Sequence, residues 1–134
     1  MSKKEKIARV IIAGGRDFND YDLLVEKVDY YLSTAIEQGY KIIVVSGTAK
    51  GADKLGEKYA NEKGYEIAYF PADWASYGKR GGYIRNQEMS KYAKEHGKGA
   101  LIAFWDGKSR GTKHMIDIAK KDQLHMRVVN YNNF

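Results

Sequence analysis

The stretch Arg9-Val10-Ile11-Ile12-Ala13-Gly14-Gly15-Arg16-Asp17-Phe18 decides the fold. A nearly continuous apolar run ends in a glycine pair and passes into polar residues suited to opening a helix. The same grammar recurs twice. Ile42-Ile43-Val44-Val45 leads into Ser46-Gly47-Thr48-Ala49-Lys50-Gly51-Ala52-Asp53, and Leu101-Ile102-Ala103-Phe104-Trp105 leads into Asp106-Gly107-Lys108-Ser109-Arg110-Gly111-Thr112. Strand, small-residue turn and helix start make an anion seat, because glycine lets backbone amides approach a ligand and a helix N-terminus carries partial positive charge. Two of the three turns also carry arginine, which points to a phosphate-bearing small molecule.

Working outward, strands are predicted at 9–13, 41–46, 66–70, 100–105 and 126–130. The apolar runs of the first, second and fourth suit central strands covered on both faces. Between the strands the apolar residues take helical spacing: Leu24, Val28, Tyr31, Leu32, Ala35 and Ile36; then Leu55, Tyr59 and Ala60; then Ile84, Met89, Tyr92 and Ala93; then Met115, Ile116 and Ala119. Asn19 or Asp20 is placed to cap the first helix and Asp53 the second, while Gly39, Gly64 and Gly97 fall where helices end. Alternating strands and helices imply right-handed crossovers and a parallel sheet. The expectation is an α/β fold: one three-layer domain over residues 1–134, with a five-stranded parallel sheet in the order 3-2-1-4-5. Ligands then bind where the order reverses, at the carboxyl ends of strands 1 and 4.

The 134 residues include 23 Lys plus Arg against 17 Asp plus Glu, a net charge of +6, with 43% hydrophobic residues and no cysteine. That excludes a disordered chain, a disulfide scaffold and a thiol nucleophile. No apolar run reaches the roughly 20 residues that span a bilayer, and the charged start resembles no signal peptide, so a cytoplasmic protein without membrane partners is expected. The lysines are spread out, and Asp17, Asp53, Asp73 and Asp106 share the glycine-rich turns. Carboxylates there would repel a phosphate backbone yet suit ribose hydroxyls, so a nucleotide is favoured over nucleic acid. Single-stranded nucleic acid ranks third among the readings.

The candidate ligand residues follow the turns. From the first come Gly14, Gly15, Arg16 and Asp17; from the second, Ser46, Gly47, Thr48, Lys50, Gly51 and Asp53. The long excursion from Pro71 to Gly82 reads as a lid or binding loop, its Trp74 and Tyr77 placed either to stack on a base or to plug the edge of the core. Arg85 and Asn86 open the next helix, and Arg85 shares a face with Glu88 one turn on. The last turn adds Asp106, Lys108, Ser109, Arg110, Gly111 and Thr112, the amides of the last two being the strongest phosphate seat. His114 lies near this turn, while His96 and His125 read as surface residues. No metal-ligand spacing and no Ser/His/Asp set emerges, no cofactor is required, and nothing supports magnesium.

Taken in order, Gly-Gly-Arg-Asp-Phe (14–18), Ser-Gly-Thr-Ala-Lys-Gly-Ala-Asp (46–53), Pro-Ala-Asp-Trp (71–74), Tyr-Gly-Lys (77–79), Arg-Asn-Gln-Glu-Met (85–89) and Gly-Thr-Lys-His-Met (111–115) resemble the SLOG superfamily and its YspA-like branch. The resemblance implies a Rossmann-like domain that binds a nucleotide or nucleotide-derived signal such as ADP-ribose. It also implies kinship with phage and bacterial conflict proteins, and a homodimer or higher homo-oligomer. Within the superfamily, LOG enzymes hydrolyse the N-glycosidic bond of nucleoside monophosphates using Arg-Lys-x-x-Met and Pro-Gly-Gly-x-Gly-Thr-x-x-Glu. Arg85 and Met89 fit the first pattern, with Asn86 in place of lysine; Met115 stands where the second has its glutamate. Losing a carboxylate that stabilises an oxocarbenium-like transition state costs about two to three orders of magnitude in rate. Sensing or sequestration is therefore the leading expectation. A hydrolase with Arg85 and Glu88 as its working pair is the second.

Overall fold

A computed structural model describes residues 5–131; the outermost ends of the domain assigned from sequence, 1–4 and 132–134, lie outside the described residues. The chain runs β1 (Ile7–Gly14), α1 (Tyr21–Glu37), β2 (Lys41–Ser46), α2 (Ala52–Lys63), β3 (Glu66–Tyr69), α3 (Trp74–Tyr77), a 3-10 turn (Gly78–Arg80), α4 (Gly81–Lys94), β4 (Lys98–Trp105), α5 (Arg110–Lys121) and β5 (His125–Asn130). All strand pairs are parallel, and the order is β3-β2-β1-β4-β5, as the sequence predicts.

The apolar runs are continuous because both sheet faces are covered. Along β1, Val10 and Ile12 join Leu24, Val28, Tyr59 and Phe104 beneath α1 and α2. Their neighbours Ile11 and Ala13 join Met89, Leu101, Met115 and Ala119 beneath α4 and α5. Asp20 caps α1 by accepting the Leu23 amide at 3.1 Å. Gly39 and Gly64 follow α1 and α2 in left-handed conformations, the expected stops. Gly97 differs: α4 ends at Lys94, and Gly97 instead turns the chain into β4, with a Cβ there falling 2.2 Å from the Ile7 carbonyl oxygen.

Two further differences bear on the site. Asp53 does not cap α2, whose N-cap is Gly51; its carboxylate turns back and accepts the Ala49 amide at 3.1 Å. The glycines of the first two turns serve packing. The Gly15 amide donates to the Phe104 carbonyl at 3.0 Å, so it is not available to a phosphate. A Cβ on Gly14 would lie 2.2 Å from Phe104 O, and one on Gly51, where φ is +78°, 2.2 Å from Gly15 O. Phe18, buried and stacked on Phe104 at 4.8 Å, anchors the far side of the first turn and leaves Arg16 exposed at its tip.

Candidate functional site

A cleft of about 380 Å³ opens at the carboxyl ends of β1 and β4, at the strand-order reversal. Ala13, Gly14 and Arg16 form one wall and Ser109, Gly111 and Thr112 the opposite one, so the two distant turns meet in one depression. Met89 and Met115 give it an apolar floor. Met115 is thus turned into the cleft at the position where the LOG pattern places its glutamate.

The last turn is held open by its own bonds. The Asp106 carboxylate accepts the amides of Lys108 and Ser109, each at 2.8 Å, and those two bonds hold its carboxyl below the usual carboxylate range. Trp105 Nε1 donates to the Ser109 carbonyl at 3.0 Å. Ser109 then caps α5, accepting the Thr112 amide at 3.4 Å, with its hydroxyl 3.2 Å from that of Thr112. Cap and first turn leave the Arg110 and Gly111 amides without intrahelical acceptors, and Gly111 faces the cleft. Amides open to an outside acceptor therefore remain at this turn, whereas the Gly15 amide is engaged.

The helix α4 starts at the cleft mouth and presents Gly82, Tyr83, Arg85, Asn86 and Met89. Arg85 Nη1 donates to the Gly47 carbonyl through a short bond, and Arg85 Nε donates to Asn86 Oδ1 at 3.1 Å. Asn86 Nδ2 in turn donates to the Gly111 carbonyl at 3.3 Å and faces His114 Nδ1 at 3.1 Å. That contact requires an unprotonated Nδ1; burial likewise pushes the His114 ring below its usual range. Through this chain of bonds α4 ties the second turn to the last. Glycine at 47 permits the close approach, since a Cβ there would stand 2.8 Å from both Arg85 Nη1 and Asp53 Oδ2.

Asp53 is the carboxylate of this cleft. Burial pushes its carboxyl up to about 6, against the lowering effects of the Ala49 amide, Arg85 and Arg16. Burial also lowers Arg85 from the ordinary arginine range, while Asp53 holds it up. Among the described residues, none of the cleft cations Arg16, Lys79 and Arg85 makes an ion pair. Several cationic donors thus share one carboxylate, a setting that favours an anion.

Several expected residues lie elsewhere. Asp17 accepts the Tyr131 hydroxyl at 2.8 Å and is absent from the lining. Ser46 is buried, donates to Glu57 at 2.6 Å and accepts the Thr48 amide. Gly15 packs against the Tyr131 side chain and Gly51 against backbone, and Asp106 holds its turn. Tyr77, Lys108 and Arg110 are exposed outside the cleft lining, as is Glu88, which therefore does not pair with Arg85 over the cavity. Thr48, with φ at +64°, and Lys50 line an adjoining pocket instead. Conversely, Lys79 and Tyr83 face the cleft without having been expected there. Tyr83 lies one helical turn before Asn86, and its ring meets His114 at 4.4 Å; the periodicity of α4 was the available signal. No group of His, Asp and Glu suited to a metal occurs among the described residues. Nor, among them, is any helix long and apolar enough to cross a membrane.

Comparison with known proteins adds two findings. The profile of the YspA, cpYpsA-related SLOG family matches residues 8–77, which takes in β1 through α3 and both of the first two turns. The chain is also 31% identical over 122 residues to the Gene 61 protein of Mycobacterium phage D29, covering 84% of this chain and 89% of that one. No solved structure matches it significantly.

Proposed function

The chain belongs to the YspA, cpYpsA-related SLOG family, and we propose that it binds a nucleotide-derived small molecule, of the ADP-ribose kind or a related nucleotide signal, as a sensor or sequestering protein. Family membership supports a nucleotide-related function in general. The finer reading is carried by one observation: Arg16, Lys79 and Arg85, without ion-pair partners among the described residues, face Asp53 beside the open first turn of α5. A phosphate would rest on the Gly111 amide and the Ser109 and Thr112 hydroxyls, with Arg16 and Arg85 as counter-charges. Asp53 takes the ribose role, because Asp17 and Asp106 are engaged elsewhere. Trp74, half exposed on the lip, and Tyr83 offer faces for the base. A thermal-shift panel of ADP-ribose, AMP and cyclic and linear nucleotides tests this: a ligand at 100 times its Kd adds about 2.7 kcal/mol of stability, and an unmoved melting temperature across the panel refutes binding.

One observation favours a second reading as a nucleoside-monophosphate N-glycosidase. Asp53 sits beside Arg85 with its carboxyl raised toward neutrality, the property of a residue that exchanges a proton at pH 7. In that reaction water adds at C1′, the C–N bond breaks with its electron pair going to the base, and the base takes up a proton. Asp53, rather than Glu88, would handle the proton. Release of free base that disappears in Asp53→Asn supports hydrolysis; intact nucleotide after prolonged incubation removes it.

A further inference from the structure

Beside the cleft lies a second hollow of about 370 Å³, lined by Gly47, Thr48, Lys50 and Ala72 and sharing Arg16, Ala49, Trp74 and Arg85 with the first. The two lobes differ in charge. The first sets its cations around Asp53, without a direct ion pair among the described residues, and has a methionine floor. The second has Arg16, Lys50 and Arg85 on its walls and no carboxylate. Lys50 is exposed and, like Arg16, has no hydrogen bond or ion pair among the described residues. Trp74 and the two arginines stand between the lobes as a shared partition.

A nucleoside monophosphate in the first lobe satisfies Gly111, Arg16 and Asp53 but leaves Lys50 and the outer side of the partition without an anion. A neutral sugar in the second lobe leaves them so as well. We infer that the ligand carries two phosphates on opposite sides of a nucleoside, the second seated among Arg16, Lys50 and Thr48; the class is nucleoside bisphosphates and short linear or cyclic oligonucleotides. This inference rests on the nucleotide reading of the first lobe and adds the content of the second. Thr48 suits the role, since its left-handed backbone turns the 47–50 loop around the hollow.

The test is calorimetric titration of the full chain with AMP, ADP-ribose, adenosine 3′,5′-bisphosphate and linear diadenylate. The bisphosphate or the diadenylate should bind about tenfold more tightly than AMP, the scale of one added charge-assisted contact. ADP-ribose, whose far end is a neutral sugar, should gain less. Lys50→Ala removes the cation and Ala72→Glu adds a repelling charge on the far wall. Each should bring the ratio of the AMP and bisphosphate dissociation constants toward one, in protein shown to be folded by circular dichroism. Equal affinity for AMP and both two-phosphate probes, or a ratio unchanged in both variants, overturns the inference while leaving the first lobe's reading in place. Failure of every nucleotide to bind overturns that reading too.

Discussion

Replacing Asp53 with asparagine should make the protein more stable near neutral pH and less able to bind. The native carboxyl lies at about 6 against an ordinary value of 3.8, raised chiefly by burial. Between these values the folded state holds a proton that the unfolded state has released. Stability therefore falls as pH rises from about 4 to 6, and the loss is complete above that window. The window spans about two pH units at about 1.4 kcal/mol each, so the penalty is on the order of 3 kcal/mol. The variant escapes it, but Arg85 loses a compensating charge, which leaves a net gain of about 1–3 kcal/mol at pH 7. The Ala49 amide keeps an acceptor, since asparagine retains a carbonyl oxygen. Urea denaturation of both proteins at a series of pH values between 4 and 8 reads this directly. The two curves should meet near pH 4 and separate in favour of the variant by pH 7. A variant less stable than the parent at pH 7 would refute the claim that Asp53 is held in the cleft against its own solvation.

Other outcomes follow from single residues. Arg16→Ala should weaken nucleotide binding by about tenfold or more with an unchanged urea midpoint, because the side chain is exposed at a turn tip; wild-type affinity in isothermal titration contradicts its role. Asn86→Ala should weaken binding as well, by freeing Arg85 and the Gly111 carbonyl, and should cost about 1 kcal/mol of stability for the part-buried hydrogen bonds lost, read as a lower urea midpoint. Gly51→Ala should destabilise by about 2 kcal/mol or more, since its φ of +78° and the Gly15 carbonyl oxygen leave no place for a methyl group; a small change in urea midpoint would refute the packing role.

The sheet was legible because burial on both faces writes continuous apolar runs, as at Val10 to Ala13 and Leu101 to Phe104, and because strand order places the cleft. The turns were only half legible. Glycine is equally required where backbone meets ligand and where the chain packs on itself, and Gly14, Gly15 and Gly51 proved to be the second kind, Gly14 and Gly51 meeting backbone and Gly15 the Tyr131 side chain. Acidic residues in turns read alike from sequence, yet Asp106 and Asp17 satisfy neighbours while Asp53 turns inward. Glu88 lies one turn from Arg85, but the stripe of α4 that faces the cavity runs through Gly82, Arg85, Asn86 and Met89, and Glu88 is exposed beside it. Lys79 was missed because only the packing of the 71–82 excursion brings it round, and Tyr83 because the face of α4 that holds Asn86 was not followed back one turn.

The most direct test of the central claim is an amide NMR titration of the labelled protein with an adenosine nucleotide. Shifts concentrated at Gly111, Thr112, Ala49, Gly82 and the Trp74 indole are predicted. Shifts confined to the groove between α1 and β5, around Tyr31 and Arg127, with Gly111 and Trp74 unmoved, would contradict it.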